Sequence, residues 1–424
     1  MSKNGSAIAS PQPTDTVEQD EPAEPASGAY RWLLLFGVWF LYFAFGLTMV
    51  AMAPLVGVMR ADLGLSDSAM GLILGAWPLV YIASAMPCGA FLDRAGPRRA
   101  LFAAAAIIGL SAAARGFSEG PVSLFLAVAL FGVGGPLISI GAPKLVSQWF
   151  EGPDRGLAMG IYITGPALGG ICALALTNSV FMPLMEQNWR HVLFLYAGVC
   201  LVIGLIWLAI TQHPEARSME RSAVADAGQG QWVVFRSLLA LPAVRAILIM
   251  AVGAFFYNHG LNNWLPEILR RGGMTPEQAG YWSAIPTAVG VLGSLLIPRL
   301  AVPARRRKIL FAVIVLAGLS TLLLQGTGAS LLLSLGLILQ GLVKGSLMTI
   351  LMLSLVETRG VGSRHAGAAG GLFFSAAEIG GVLGPLTLGA LSDLTGGFAA
   401  GLYLLSGICC LLLLLQARLA RLRA

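Results

Sequence analysis

Apolar runs long enough to cross a lipid bilayer recur along almost the whole chain, and they constrain its fold more than any other feature. A helix of about 20 apolar residues spans the hydrocarbon core of a membrane. Only 11% of the 424 residues are charged, against about a quarter in a typical soluble domain. Because lipid offers no partner for free backbone groups, such runs fold as helices. The sequence therefore predicts an all-α integral membrane protein.

Twelve such runs are predicted, in two sets of six. They cover 32–57, 68–92, 99–117, 121–148, 156–180 and 190–211, and then 243–266, 277–300, 308–326, 330–355, 366–390 and 397–416. The polar stretch 212–241 between the sets is predicted to be a cytoplasmic linker. The expected organisation is a disordered acidic cytoplasmic tail over 1–30, one six-helix bundle over 31–211 and a second over 242–424.

The distribution of basic residues predicts how the chain is oriented. With the N-terminus inside, twenty of the 27 Lys and Arg residues fall on the inner side and five on the outer side, while Lys144 and Lys344 lie within predicted helices. Cytoplasmic loops carry an excess of Lys and Arg. We therefore expect a bacterial inner-membrane protein with both termini in the cytoplasm. The net charge of +7 then reflects topology, and the expected surroundings are lipid rather than nucleic acid.

The second half of the chain repeats the first. Leu65–Phe102 aligns without a gap on Met274–Phe311 at an offset of 209. Further on, Gly160–Gly170 matches Gly371–Gly381 at an offset of 211. Two matches in order and at nearly the same offset indicate a duplicated six-helix unit. Transporters built from two parallel six-helix repeats bind substrate between the halves, near the middle of the membrane.

A loop signature follows the second predicted helix, where Gly89 to Leu101 reads GAFLDRAGPRRAL. It resembles the cytoplasmic signature of the major facilitator superfamily, G-x-L-x-D-R-x-G-R-[RK]-x-x-L. The resemblance implies two pseudo-symmetric six-helix bundles and no cofactor. It also implies a latch that holds the halves together in the outward-open state, formed here by Gly89, Asp93, Arg94 and Arg98. In the second copy Val302 stands where Asp93 stands, so the latch is expected to be asymmetric.

Two further segments bear on the subgroup. Ser147–Ile161 most resembles bacterial anion carriers of the cyanate-permease, oxalate/formate and monocarboxylate type. Gly165-Pro166-Ala-Leu-Gly169-Gly170 is similar to part of a motif of family antiporters, although Ile161 occupies the place of an expected glycine. Glycine and proline also let membrane helices pack closely and bend. Exchange and symport therefore both stay open.

Lys344 is the leading candidate for substrate contact. It lies near the middle of the tenth run, in sequence without other charges from before Ser330 to Glu357. Ionisable groups inside a bilayer are costly and point to function. The resemblance places this helix against the central cavity, where an ammonium group would attract an anion. A permanent pair with a carboxylate is the structural alternative.

Glu378 and Lys144 are the other charges predicted inside helices. Glu378, in the eleventh run, either pairs with Lys344 or takes up and releases the coupling proton. Both roles are available because burial favours the neutral carboxyl, whereas a nearby cation favours the charged form. Lys144, nearer the cytoplasmic end of the fourth run, either extends to the headgroups or acts as a second anion ligand facing Lys344.

The seventh run contains the most polar stretch of any predicted helix, Tyr257–Trp264. Asn258 and Asn262 share one helix face with Tyr257 adjacent. This stretch is either the external half of a discontinuous helix that contacts substrate or an ordinary periplasmic helix end. The secondary candidates are His259 for proton coupling, because histidine titrates near neutral pH, and Tyr42 and Phe45 of the first run for substrate contact.

Other classes of protein lack support in the sequence. It contains no G-x-x-x-x-G-K-[ST] loop, no cluster of metal ligands and no nucleophile motif. Neither an ATP-driven pump, nor an enzyme, nor a metal site is expected. Two intramembrane lysines against one acid favour a small anion, such as a mono- or dicarboxylate, moved by a monomer through alternating access with proton coupling or exchange. The alternative is efflux of a drug or metabolite by proton antiport.

Overall fold

The computed structural model of the chain describes residues 28–214, 231–326, 330–361 and 365–423, and these are almost entirely helical. The first half, for which we propose the boundaries 31–211, contains α1 (Gly28–Val50), α2 (Val56–Leu63), α3 (Asp67–Leu74), α4 (Ala76–Gly116), α5 (Pro121–Trp149), α6 (Gly152–Tyr162), α7 (Thr164–Leu176), α8 (Met182–Leu184) and α9 (Trp189–Ile210). The predicted disordered tail, apart from its last three residues, lies outside the described residues.

The second half, for which we propose 242–424, follows a helix that lies inside the stretch predicted as linker, α10 (Gln231–Ala240). It contains α11 (Pro242–Arg271), α12 (Pro276–Leu300), α13 (Pro303–Leu323), α14 (Leu331–Val356), α15 (Ala366–Thr395) and α16 (Ala399–Arg423). Most of the remaining linker, 215–230, is outside the described part of the chain.

The twelve predicted crossings are confirmed. By length and hydropathy, ten stretches of the described residues can each span a membrane. One of them carries two crossings, because the helical stretch Ala76–Gly116 has non-helical backbone at Gly96 (φ 78°, ψ 159°) and changes direction at that residue. The twelfth crossing is α13, whose first turns carry four consecutive basic residues, Arg305–Lys308, that lower its hydropathy.

Of the two interpretations left open for the seventh crossing, the discontinuous helix is wrong. Helix α11 runs unbroken from Pro242 to Arg271, and the Asn263 side chain donates to the His259 carbonyl one turn earlier (2.9 Å). The break lies in the fifth crossing instead, where α6 ends at Tyr162 and α7 begins at Thr164. Proline has no N–H to donate to the carbonyl four residues earlier. Pro166 therefore interrupts the helix at this point.

The two halves are related by pseudo-symmetric helix contacts. Gly71 of α3 packs so closely on the Pro385 carbonyl of α15 that any side chain there would clash. Gly280 of α12 packs in the same way on the Leu174 carbonyl of α7. These residues correspond at the offsets of 209 and 211 found in the sequence. The duplication therefore extends to the contacts that join the halves.

The same correspondence holds within each half. Gly169, in the segment that resembles an antiporter motif, packs against the Phe43 carbonyl of α1, and Gly380 packs against the Val252 carbonyl of α11. A side chain at either glycine would overlap backbone atoms. In both halves the glycine-rich segment thus lets two crossings approach closely, which is the structural role that small residues have at membrane helix interfaces.

Charged residues join the halves at the end of the bundle opposite the chain termini, which we call the far end. Asp67, only 2% exposed, accepts hydrogen bonds from Arg271 (2.8 Å) and Ser392 (2.7 Å) of the second half. Asp393 of the second half accepts the backbone N–H groups of Asp67 (2.9 Å) and Ser68 (2.7 Å). A carboxylate is thus placed at the N-terminus of α3, where it is favoured.

A second buried carboxylate, Glu267, extends this network. It is 2% exposed, accepts from Arg270 and Arg271 of its own helix, and lies 3.8 Å from Arg60 of the first half. Beside it a cavity of about 420 Å³ lies between the halves, lined by Ala53, Pro54, Gly57, Val58, Ala61, Asn178, Pro266, Glu267, Arg270, Pro276 and Ala279. None of the predicted substrate residues lines this cavity. It belongs to the far end.

Candidate functional site

Lys344 is a half-buried cation whose ammonium group faces a neutral partner. It lies on α14 and donates to the Thr287 hydroxyl of α12 at 2.9 Å. Among the described residues no carboxylate lies within 4.0 Å of its nitrogen. Helices α12 and α14 can approach closely because Gly345 packs directly on the Gly290 carbonyl. This contact places Lys344 beside Thr287, which sequence reasoning missed.

The buried Glu378 and the half-buried His259 form a pair in the same half. Glu378 is 4% exposed, and its Oε2 lies 4.0 Å from Nε2 of His259. In the described part of the chain that oxygen has no hydrogen-bond partner. A side chain at Gly381 would clash with it and would come 3.2 Å from Nδ1 of His259. Glu378 is not within ion-pairing distance of Lys344, so the structure groups it with the histidine.

The wall contributed by the first half consists of neutral aromatic and hydroxyl groups. The Tyr81 hydroxyl shares a hydrogen bond with the Ser139 hydroxyl (2.9 Å), and the Tyr42 hydroxyl donates to the Ser139 carbonyl (3.5 Å). Phe45, also predicted as a contact, stacks on Phe131 at 5.3 Å. The spacing of Trp77 and Tyr81, four residues apart on one helix face, was the available sequence signal for this wall.

Trp77 contacts the second half directly. Its ring lies 5.4 Å from the His259 imidazole, and the charge of Glu378 acts on Tyr81 one turn further along α4. The neutral wall of the first half therefore faces the Glu378–His259 pair across the boundary between the halves. Sequence reasoning named the histidine and the carboxylate but not the tryptophan that covers them.

The remaining predicted residues lie elsewhere. Tyr257 is fully buried and shares a hydrogen bond with Ser320 of α13 (2.6 Å), so the structure places it in the packing of the second half. Asn258 and Asn262 are half-buried on α11. Lys144 pairs with Asp93 at 2.6 Å. Lys144 therefore contacts the loop signature through Asp93 and does not face Lys344.

Comparison with known proteins identifies the family. The family model described as Major Facilitator Superfamily matches residues 34–385. The chain belongs to this superfamily. It is 27% identical to the hexuronate transporter of Bacillus subtilis (82% of this chain, 84% of that protein). It is 26% identical to a quinolone resistance transporter of Acinetobacter baumannii (82% and 84%). The fold matches the crystal structure of a mutant of the nucleoside transporter NupG, with TM-score 0.76, 14% identity, and coverage of 91% and 99%.

Within the described part of the chain, the signature loop of this superfamily member makes its contacts inside the first half. Besides the Asp93–Lys144 pair, Arg98 donates to the Thr211 hydroxyl (3.3 Å), whereas Arg94 is exposed and Gly89 has open space around it. The latch predicted for Gly89, Asp93, Arg94 and Arg98 would bridge the halves. In this conformation the ion pairs described above bridge them at the far end instead.

The described residues contain no group of three or more His, Cys, Asp or Glu side chains arranged to hold a metal ion. Apart from the ion pairs of the far end, the charged groups that the structure describes in the candidate site are Lys344, His259 and Glu378. A superfamily transporter with this set can attract an anion through the ammonium group and exchange a proton at the carboxyl or the imidazole. The chain is a transporter and not an enzyme.

Proposed function

We propose that the chain moves a small organic anion, a mono- or dicarboxylate, across the bacterial inner membrane by alternating access. One observation carries the proposal: the Lys344 ammonium group is half-buried between α12 and α14 of the second half, and among the described residues its hydrogen-bond partner is the neutral Thr287 hydroxyl. A desolvated cation without a counter-charge is costly. A carboxylate of the substrate would supply that charge, with Thr287 orienting the ammonium group.

Proton coupling is the second part of the proposal. Glu378 and His259 lie 4.0 Å apart, and the orphan oxygen of Glu378 leaves a place for a proton. We assign the coupling proton to this pair and the substrate carboxylate to Lys344. Exchange of one anion for another would use Lys344 alone. The hexuronate transporter among the relatives supports an organic acid as the substrate.

We propose an orientation with both termini in the cytoplasm, based on the excess of Lys and Arg in the loops at that end. The far end would then face the periplasm, and the structure would be closed on that side. The Asp93 loop would face the cytoplasm without holding the halves together. Reporter fusions at the C-terminus, with one reporter active in the cytoplasm and one in the periplasm, test this orientation directly.

A thermal-stability screen of purified protein tests the substrate class. We expect glucuronate, succinate or lactate to raise the melting temperature of the wild type, and Lys344→Ala to abolish that effect. Lys308→Ala, which removes an exposed lysine of the same half, is the matched control and should keep it. Losing one charged hydrogen bond corresponds to roughly tenfold to hundredfold weaker binding. Equal stabilisation of wild type and Lys344→Ala would contradict the proposal.

Drug efflux is the second candidate, favoured by the quinolone resistance transporter among the relatives and by the aromatic wall of the first half. Aromatic faces attract lipophilic cations, and a buried acid such as Glu378 would pair with them. Under this alternative, tetraphenylphosphonium or a fluoroquinolone would stabilise the protein and carboxylates would not. Stabilisation by these cations would then depend strongly on Glu378 and weakly on Lys344.

A further inference from the structure

The His259 imidazole lies between two aromatic rings that belong to different halves. Phe255, one turn earlier on α11, stacks on it at 5.2 Å with the planes 19° apart. Trp77 of α4 covers it at 5.4 Å with the planes 32° apart. His259 therefore touches both halves at once. Lys344 and its partner Thr287, in contrast, both belong to the second half.

Trp77 is held rigidly by the first half. Its side chain is 7% exposed, and its ring meets the edge of Phe131 at 5.6 Å. Its carbonyl oxygen lies directly against Gly132 of α5, where any side chain would clash. The position of the indole is consequently set by the first half, not by the histidine it covers.

A close contact between the halves brings Trp77 to the histidine. Gly75, two residues before Trp77, packs on α15 so that a Cβ there would lie 3.0 Å from the Val382 carbonyl oxygen. Val382 follows Glu378 by one helical turn. The same contact therefore positions the indole beside the Glu378–His259 pair. Separation of α4 from α15 would remove the indole from the imidazole.

Among the described residues, two charged side chains act on His259, and a further titratable side chain, Tyr81, lies beside Trp77. Glu378 faces it from α15 at 4.0 Å, the charge of Lys344 acts on it from α14, and Tyr81 follows Trp77 on α4. Trp77 itself brings no charge. The face of an indole attracts cations, which favours the imidazolium form of His259, whereas its bulk keeps water away, which disfavours that form. A leucine at this position would keep much of the bulk and remove only the aromatic face.

We propose that Trp77 is a positioning residue of the coupling site, which holds its ring on His259 while the far end is closed and withdraws when the halves separate there. Proton occupancy of the Glu378–His259 pair and contact between the halves then depend on each other. Such linkage is reciprocal: a proton held more tightly in the closed state also stabilises the closed state. The inference rests on the proposed function, because it connects the proton site to alternating access.

Fluorescence tests the contact without any transport. A protonated imidazole quenches the emission of an indole in contact with it. We expect the emission difference between wild type and Trp77→Phe to fall as the pH is lowered from about 7 to about 3.5. That pH-dependent component should disappear in His259→Gln and persist in Trp282→Phe, which removes a partly buried tryptophan of α12. Its absence in the wild type, or its persistence in His259→Gln, would overturn the inference.

The pH profile of anion uptake into proteoliposomes tests the role. Leucine fills much of the indole volume but presents no aromatic face. Trp77→Leu should therefore shift the pH of half-maximal uptake toward acid by about half a pH unit. Trp77→Phe should shift it less, and Trp282→Leu not at all. An unchanged profile in Trp77→Leu overturns the inference. If the wild type moves no anion, the proposed function fails, and the fluorescence titration still decides the inference.

Discussion

At equivalent places in the repeat, the first half has Gly135 and the second half has Lys344. A Cβ at Gly135 would lie 3.4 Å from the Tyr81 ring and 3.6 Å from the Phe45 ring, so aromatic side chains occupy the space beside it. In the second half Gly290 stands at the position of Tyr81, and the Lys344 side chain fills the corresponding space. In the first half the large residue is Tyr81 on α4 and the small one is Gly135 on α5. In the second half the small residue, Gly290, is on α12 and the large one, Lys344, is on α14, so an ammonium group takes the place of a phenol.

The helix packing around these positions is the same in both halves. Gly132 lies against the Trp77 carbonyl, and Gly341 lies against the Pro286 carbonyl, again at an offset of 209. The scaffold is thus duplicated, while the side chains between the halves have diverged. One wall is neutral and aromatic, and the other carries a cation and an acid–histidine pair. The following experiments test this difference between a neutral first half and a charged second half.

The largest effect is expected from Glu378→Gln. Glutamine preserves the shape of the carboxyl but takes up and releases no proton, so accumulation of a carboxylate driven by a pH gradient should be lost. Exchange of labelled for unlabelled anion without a gradient should continue, because Lys344 is intact. Uptake and counterflow in proteoliposomes measure the two activities. Glu277→Gln, at an exposed acid of α12, should behave as wild type. Gradient-driven uptake with wild-type pH dependence would show that Glu378 is not the coupling group.

The duplicated packing gives the next prediction. Gly132→Ala and Gly341→Ala each place a methyl group against a backbone carbonyl, and we expect each to cost about 1–3 kcal/mol of stability. Gly135→Ala meets only ordinary van der Waals contacts at 3.4 Å or more and should melt like the wild type. Melting temperatures in detergent provide the measurement. Similar losses of stability at positions 132 and 341 would support equivalent helix packing in the two halves. A loss at only one of them would contradict it.

The fold was largely predictable from the sequence because lipid imposes simple rules. The lengths of the apolar runs predicted the membrane crossings. The matched glycines indicated the duplication, because only glycine allows two helix backbones to approach this closely. One of the two interpretations of the seventh crossing, a discontinuous helix, was wrong for a physical reason. The polar residues of Tyr257–Trp264 suggested an interruption, but Asn263 bonds back to its own helix. Pro166, which removes a backbone donor, was the better signal.

The site was predictable only where it carries charge. Lys344, Glu378 and His259 stand out in apolar runs because ionisable groups are rare there. Trp77, Tyr81 and Thr287 do not, since aromatic and hydroxyl residues are ordinary in membrane helices. Which groups pair could not be predicted either. Sequence proximity favoured Glu378 with Lys344, whereas the structure brings Glu378 to His259 on the helix α11.

The contact between the halves at the far end can be weakened selectively. Arg271 bonds to Asp67 of the first half as well as to Glu267 of its own helix, whereas Arg270 bonds to Glu267. Arg271→Gln leaves the buried carboxylates of Asp67 and Glu267 each short of one partner, and the loss at Asp67, which lies between the halves, should cost the closed state about 1–3 kcal/mol. Arg270→Gln should cost it little.

Spin labels on cysteines introduced at Ala61 and Thr395, one exposed position in each half, measure the opening by pulsed electron paramagnetic resonance. The five native cysteines are replaced for this experiment. We expect Arg271→Gln to add a population with a longer distance, and Arg270→Gln to resemble the parent. Identical distance distributions would show that the Asp67–Arg271 pair does not hold the halves together.

The smallest change in stability is expected at the loop signature, where the copies differ most. The Asp93 and Lys144 side chains are 51% and 30% exposed, and exposed ion pairs contribute only about 0–1 kcal/mol. Asp93→Asn should therefore leave the melting temperature nearly unchanged. If Asp93 latches the halves in the opposite conformation, the same substitution should still slow uptake several-fold, because it destabilises a state that this structure does not show. Val302→Asn, at the repeat-equivalent position, should alter neither quantity. Equal uptake by wild type and Asp93→Asn would show that the signature only fixes the orientation of the chain in the membrane. The two loops would then not differ in function.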